Sequence, residues 1–75
     1  MGKEAALQDV FLAQTRRSGC QVTVFLVNGF QIRGTIAGYD AFTVVLNSDG
    51  KQKMIYKDAI STIAPIRPVE LTGEI

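Results

Sequence analysis

From Leu7 to Gln14 the residues Leu7, Val10, Phe11 and Gln14 recur at three- and four-residue spacings, the repeat of one helix face. Asp9 falls early, Arg16 and Arg17 fall late and Gly19 follows, an order that suits the helix dipole and a glycine stop. The stretch predicts an amphipathic helix over about 7–18, roughly three turns. From Gln21 the repeat shortens to two: "QVTVFLV" sets Val22, Val24 and Leu26 against Thr23, Phe25 and Val27. Asn28-Gly29 then predicts a tight hairpin with positive φ at both residues. The return run "FQIRGTIAGYD" sets Phe30, Ile32, Thr35 and Ile36 among polar positions. Gly34 and Gly38 interrupt it, and glycines inside a strand mark a bend or bulge. Next come "FTVVLN", a turn at "SDG", the run "KQKMIYK", and "ISTIA" closed by Pro65. The strands thus occupy about 21–64. Pro65 and Pro68 end regular pairing, and residues 67–75 read as a short flexible tail.

These elements predict a mainly β domain with one N-terminal α-helix. Its strongly bent, five-stranded antiparallel sheet forms a small, partly open barrel. The first and third strands are apolar on both faces, and one helix covers only part of one face. No cover is evident for the last two strands, whose unpaired edges invite a neighbouring chain. Edge-to-edge addition of identical chains repeats with a fixed rotation and, where it closes, makes a ring.

Composition sharpens that expectation. Seventy-five residues make one domain that buries only about 60% of the surface its unfolded chain exposes. Small domains compensate with disulfides, a metal or oligomerisation. Cys20 is the only cysteine and there is no histidine, which removes an internal disulfide and a Cys/His zinc site. At 47% hydrophobic against 20% charged, oligomerisation is the remaining route. A net charge of +1 gives no bulk electrostatic case for nucleic acid, so any such site depends on local placement. No apolar run approaches the roughly 20 residues of a membrane span. "MGKEAAL" has no signal-peptide core, and Ala6 stands where a myristoylation signal has Ser or Thr. A soluble cytoplasmic protein without membrane attachment is expected. No nucleophile–base pair, phosphate loop or metal cluster is evident, so neither catalysis, a cofactor nor a small-molecule substrate is expected.

"VFLVNGFQIRGTIAGYDAFTVVL" resembles the first Sm motif, and "IYKDAIST" resembles the second in its bacterial form, usually YKHAIST. With "LQDVFLAQTRR" ahead of them, the chain resembles the Hfq family of bacterial Sm-like RNA chaperones over about residues 7–66. That resemblance implies an Sm-like domain over 1–66, a homohexameric ring built by strand addition, and RNA bound on two faces and at the rim. It also implies post-transcriptional regulation through small RNA–mRNA pairing. A rival expectation is a ring serving mainly as a protein assembly scaffold, with RNA recognition weak or lost.

Site residues follow from the same resemblance. On the helix-bearing, proximal face Phe42 would stack a base of uridine-rich RNA, Gln8 and Lys57 would hydrogen-bond it, and Tyr56 would shape the pocket. Asp58 replaces the family's usual histidine and Ala41 a polar side chain, which weakens the expected uridine binding. On the distal face Phe25, Gly29, Phe30, Gln31, Ile32, Ser61 and Thr62 would form pockets for adenine-rich or other purine-rich RNA. Lys53 stands there where many relatives have glutamine, and it lacks the paired donor and acceptor of an amide. Arg16 and Arg17 would contact RNA at the rim, in a cluster that Ser18 and Gly19 end early. The plainer alternative makes the aromatics strand and core residues, Lys57 a solvated charge and the arginines a helix-end pair. Cys20 reads as a small buried hydrophobe, and Asp9 and Asp40 as structural.

Overall fold

The computed structural model describes residues 6–71. Residues 1–5 and 72–75, which hold the start of the expected domain and the end of the expected tail, lie outside the described residues. One helix, α1 (Leu7–Ser18), precedes β1 (Val22–Leu26), β2 (Gln31–Tyr39), β3 (Thr43–Ser48), β4 (Lys51–Tyr56) and β5 (Ile60–Pro65). A single 3₁₀ turn, Lys57–Ala59, joins the last two strands. The helix ends where Gly19 turns left-handed and its N–H donates to the carbonyls of Thr15 and Arg16. Its buried residues are Leu12 and Thr15, with Phe11 half-buried. Leu7 is 65% exposed, so the inward face is rotated from the one the Leu7–Val10–Phe11–Gln14 spacing predicts. Thr15 tolerates burial because its hydroxyl donates to the Phe11 carbonyl at 2.6 Å, leaving no polar atom for the core to satisfy.

The five strands form one antiparallel sheet in the order β4-β3-β2-β1-β5. At the β1–β2 hairpin the turn differs from expectation. Gly29 has φ 95°, but Asn28 is not among the positive-φ residues. The Leu26 N–H donates to the Phe30 carbonyl, the Gly29 N–H to the Leu26 carbonyl, and the Phe30 N–H to Asn28 Oδ1 at 3.0 Å. This is a three-residue loop in which Gly29 alone takes positive φ and the Asn28 side chain, rather than its backbone, helps make the reversal. The two-residue turn with both φ positive occurs instead between β3 and β4, at Asp49 (54°) and Gly50 (75°).

Pairing of β2 with β3 shifts register between Ile36 and Gly38, and such a bulge bends its strand and increases its twist. The bend wraps the sheet around a core of Leu12, Val22, Val24, Ile36, Val44, Leu46 and Ile55. Burying side chains of this kind contributes about 1.5–3 kcal/mol each. Cys20 is buried, as a small hydrophobe before β1 should be. The strands β4 and β5 sit at opposite ends of the strand order and do not pair with each other. The barrel therefore stays open within one chain and presents two unpaired edges. No helix among the described residues is long and apolar enough to cross a membrane.

Candidate nucleic-acid interface

The return of β5 toward α1 leaves a cleft of about 530 Å³, lined by Leu7, Gln8, Phe11 and Leu12 of the helix, Val44, Lys57, Ile60 to Ile63, and Leu71. Gln8 and Lys57, both read from the sequence as base-contacting, thus share one cavity. The Lys57 Nζ is buried and has no hydrogen-bond partner among the described residues. The Asp40 carboxylate attracts it from a distance, but a buried ammonium without a hydrogen bond still has unused donors, and these are free to meet a ligand. Asp58 does not pair with the ammonium. On a 3₁₀ turn successive side chains point about a third of a turn apart, and Asp58 is exposed where Lys57 is half-buried.

Phe42 stands at the loop before β3 with 75% of its surface exposed, the condition a base-stacking ring requires. Its main chain is held from two sides. Asp40 Oδ1 accepts from the N–H groups of Phe42 (2.9 Å) and Thr43 (2.8 Å) and from the Thr43 hydroxyl (2.8 Å). The Phe42 carbonyl in turn accepts from the Lys57 N–H at 2.8 Å. One carboxylate therefore sets the loop that carries the aromatic, and one backbone bond ties that loop to the cation. Tyr56 pairs across from Thr43 and lies on the opposite side of β4 from the buried Ile55.

The Phe42 and Thr43 hydrogen bonds, with a smaller attraction from Lys57, hold the Asp40 carboxyl below its ordinary 3.8. A depressed folded value means that the unfolded chain binds the proton more readily. The stabilisation is complete above 3.8 and is lost as pH falls below that value through the folded one. Asp40→Asn should therefore be less stable than wild type at neutral pH, with the difference closing as pH falls below 3.8 through the lowered folded value. Paired urea denaturations check this, and a gap independent of pH would contradict it.

The residues read as distal fall into two groups. Gln31, Ile32 and Lys53 line a second cleft, also about 530 Å³, whose walls include Arg33, Asn47 and Asp49. Phe30, 69% exposed, and Gly29 lie at the adjoining hairpin. Ile32 pairs with Val24 and is packed against the core, whereas Phe25 pairs with Gln31 and, on its other side, with Thr62. The aromatic on the outer side of β1 is thus Phe25, as the alternation with Val24 and Leu26 requires. Ser61 and Thr62 line the first cleft, beside Gln8 and Lys57, and their hydroxyls lie 3.4 Å apart. Arg16 and Arg17 are exposed in the last turn of α1 and line neither cleft. Asp40, read from the sequence as structural, orders the Phe42 loop. Two participants escaped that reading. Arg33 follows Gln31 at the two-residue repeat, and Leu71 reaches the first cleft from beyond Pro68 without any local pattern to announce it.

Residues 7–70 match the model of the Hfq protein family. The chain is 62% identical over 68 residues to the RNA-binding protein Hfq of Moorella thermoacetica, covering 91% of this chain and 81% of that one. It is also 62% identical over 63 residues to the RNA-binding protein Hfq of Desulforamulus reducens, covering 84% and 79% respectively. Among solved structures, a crystal structure of the pleiotropic translational regulator Hfq superposes with a TM-score of 0.77 at 49% identity, over 79% of this chain and 98% of that one. Helix, bent sheet and motif residues thus agree with one assignment: the chain belongs to the Hfq family of RNA-binding proteins, with their Sm-like fold.

Proposed function

We propose that this protein is a cytoplasmic RNA chaperone that works as a closed homohexameric ring, holding uridine-rich RNA at Gln8, Phe42, Tyr56 and Lys57, with Asp58 beside them weakening the hold, and purine-rich RNA at Phe25, Gly29, Phe30, Gln31, Ile32 and Lys53. By bringing two RNAs onto one ring it pairs small RNAs with messages. The observation that carries this reading is the buried Lys57 ammonium, without a hydrogen bond among the described residues and in one cleft with Gln8, tied through the backbone to an exposed Phe42. The ring reading is supported by the two strand edges, β4 and β5, that stay unpaired within one chain and could each accept the other edge of a neighbour. The plain alternative of core aromatics does not suit Phe30 or Phe42, which the core leaves out.

Titration with oligo-uridine and oligo-adenosine tests the two faces. Stacking on an aromatic is worth about 1–3 kcal/mol per base. Phe42→Ala should thus weaken oligo-uridine by about tenfold or more and leave oligo-adenosine largely unchanged, while Phe30→Ala does the reverse. If neither substitution changes either affinity, the reading is wrong. A stable ring that binds neither RNA would establish the scaffold alternative instead.

A further inference from the structure

The residues assigned to the two RNAs are joined through the main chain. The Gly29 N–H donates to the Leu26 carbonyl at 2.9 Å, and the N–H of the same Leu26–Val27 peptide donates to the Ala59 carbonyl at 2.9 Å. The Ala59–Ile60 peptide continues the run, because the Ile60 N–H donates to the Lys57 carbonyl and closes the 3₁₀ turn. Lys57 in turn donates its N–H to the Phe42 carbonyl at 2.8 Å. Four hydrogen bonds in line therefore connect Gly29 with Phe42. Phe42 and Phe30, the neighbour of Gly29, are both exposed, so the run ends on each side beside a ring open to a base.

A peptide is planar and stiff, so tilting one to improve the bond at its N–H also moves its carbonyl. Hydrogen bonds in line polarise and strengthen one another as well. The run also has a place to give. A 3₁₀ turn has poorer hydrogen-bond geometry than an α-helix, and β5 is irregular just beyond it. Phe25 pairs with Thr62 and Leu26 with Ile60, which leaves Ser61 with no opposite residue. The ladder is interrupted there, so the turn adjusts without unpairing the rest of β5. RNA at Phe42 and Lys57 would immobilise one end of the run, and RNA at Gly29 and Phe30 the other. A ligand that finds the run already ordered meets a smaller ordering cost. We propose that the Lys57–Ala59 turn couples the two RNA sites, so that uridine-rich RNA on one face raises the affinity for purine-rich RNA on the other, and the reverse. The ring then favours holding both RNAs, the state in which they pair. This inference rests on the RNA-binding reading above and adds to it the regulation of one site by the other.

The test uses the assembled full chain with oligo-uridine and oligo-adenosine short enough that one strand does not reach both faces. Labelled oligo-adenosine is titrated with and without saturating oligo-uridine, and then the roles are exchanged. Each RNA should tighten the other by about fivefold, within the usual range of coupling between sites, and by the same factor in both directions as linkage requires. Amide hydrogen exchange reads the route on wild type alone: oligo-uridine should slow exchange at Val27, across the run from Phe42, by protecting its bond to Ala59. The slowing should persist in Phe30→Ala, where uridine has no ring to stack on at the hairpin. Ala59→Gly adds backbone freedom to the turn and should bring the coupling factor close to one, with each RNA alone bound nearly as in wild type. An absence of coupling, while Phe42→Ala and Phe30→Ala each lose their RNA, overturns the inference and leaves the RNA-binding reading standing. Unchanged exchange at Val27, or slowing that vanishes in Phe30→Ala, also overturns it. Mutual weakening that fades with added salt would be repulsion between two polyanions and would overturn it too. If wild type binds neither RNA, the underlying reading fails with it.

Discussion

Lys57→Met should raise the melting temperature and at the same time lower affinity for oligo-uridine. The ammonium is buried with no partner among the described residues, and an unsatisfied buried donor costs about 1–3 kcal/mol. Methionine keeps most of the unbranched stem that packs along the cleft wall and removes the charge. Replacing a polar group without a hydrogen bond by an apolar one of similar shape is neutral to stabilising, and the attraction to Asp40 lost with it is the smallest of the influences on that exposed carboxylate. A gain of about 1 kcal/mol in a domain of this size raises the melting temperature by about 4–8 °C. RNA binding moves the other way. A hydrogen bond to a charged group is worth about 1.5–3 kcal/mol, so oligo-uridine should bind at least tenfold more weakly. Thermal melts and titrations on the same preparation decide the matter. A lower melting temperature would show that Lys57 serves the fold, and the case for a ligand-directed ammonium would fall.

Gly34→Ala should be severely destabilising, and Gly38→Ala should not. A Cβ built at Gly34 overlaps the carbonyl oxygen of Asn47 and lies 3.0 Å from that carbonyl carbon and 3.3 Å from the Ser48 Cα. All three atoms belong to the backbone of β3, so no side-chain rotation relieves the clash. Either β2 and β3 move apart or the bend opens. Overpacking of this kind costs about 1–3 kcal/mol or more, a large part of the stability of a small domain. At Gly38 a Cβ meets nothing within 4 Å, and alanine there restricts the unfolded chain, which offsets other small losses. Urea denaturation of the two variants beside wild type should give a midpoint far below wild type for Gly34→Ala and close to it for Gly38→Ala. Similar midpoints would mean that the two strands do not approach as closely as described.

These glycines show where sequence reading stops. Both interrupt the same alternating run, and both read equally as marks of a bend. The bulge lies between Ile36 and Gly38, whereas the contact that admits only glycine lies at Gly34. Nothing local distinguishes them, because the atom that excludes a side chain comes from β3. Hairpin chemistry carries the same lesson. Asn-Gly and Asp-Gly are equivalent turn formers by composition, yet here the side chain of Asn28 bonds the Phe30 amide while Asp49 takes the left-handed conformation itself.

Local regularities settled the rest. A three-and-four spacing followed by a spacing of two was enough for one helix and five strands, because those periods report which side of an element water touches. The alternation placed Phe25 opposite Val24, and the motif strings pointed to Phe42 and Lys57, which one backbone hydrogen bond joins in the fold. Tertiary structure alone decided three things. It turned the helix to bury Leu12 and Thr15, because the bent sheet dictates which side it covers. It buried the Lys57 ammonium in one cleft with Gln8 and without a hydrogen bond among the described residues, because solvation depends on which neighbours the fold brings close. It also set Arg33 and Lys53 around one cavity that Gly19 lines as well. Charges twenty residues apart combine their fields only when the chain folds them together, since Coulomb attraction acts through space and is screened within about 10 Å.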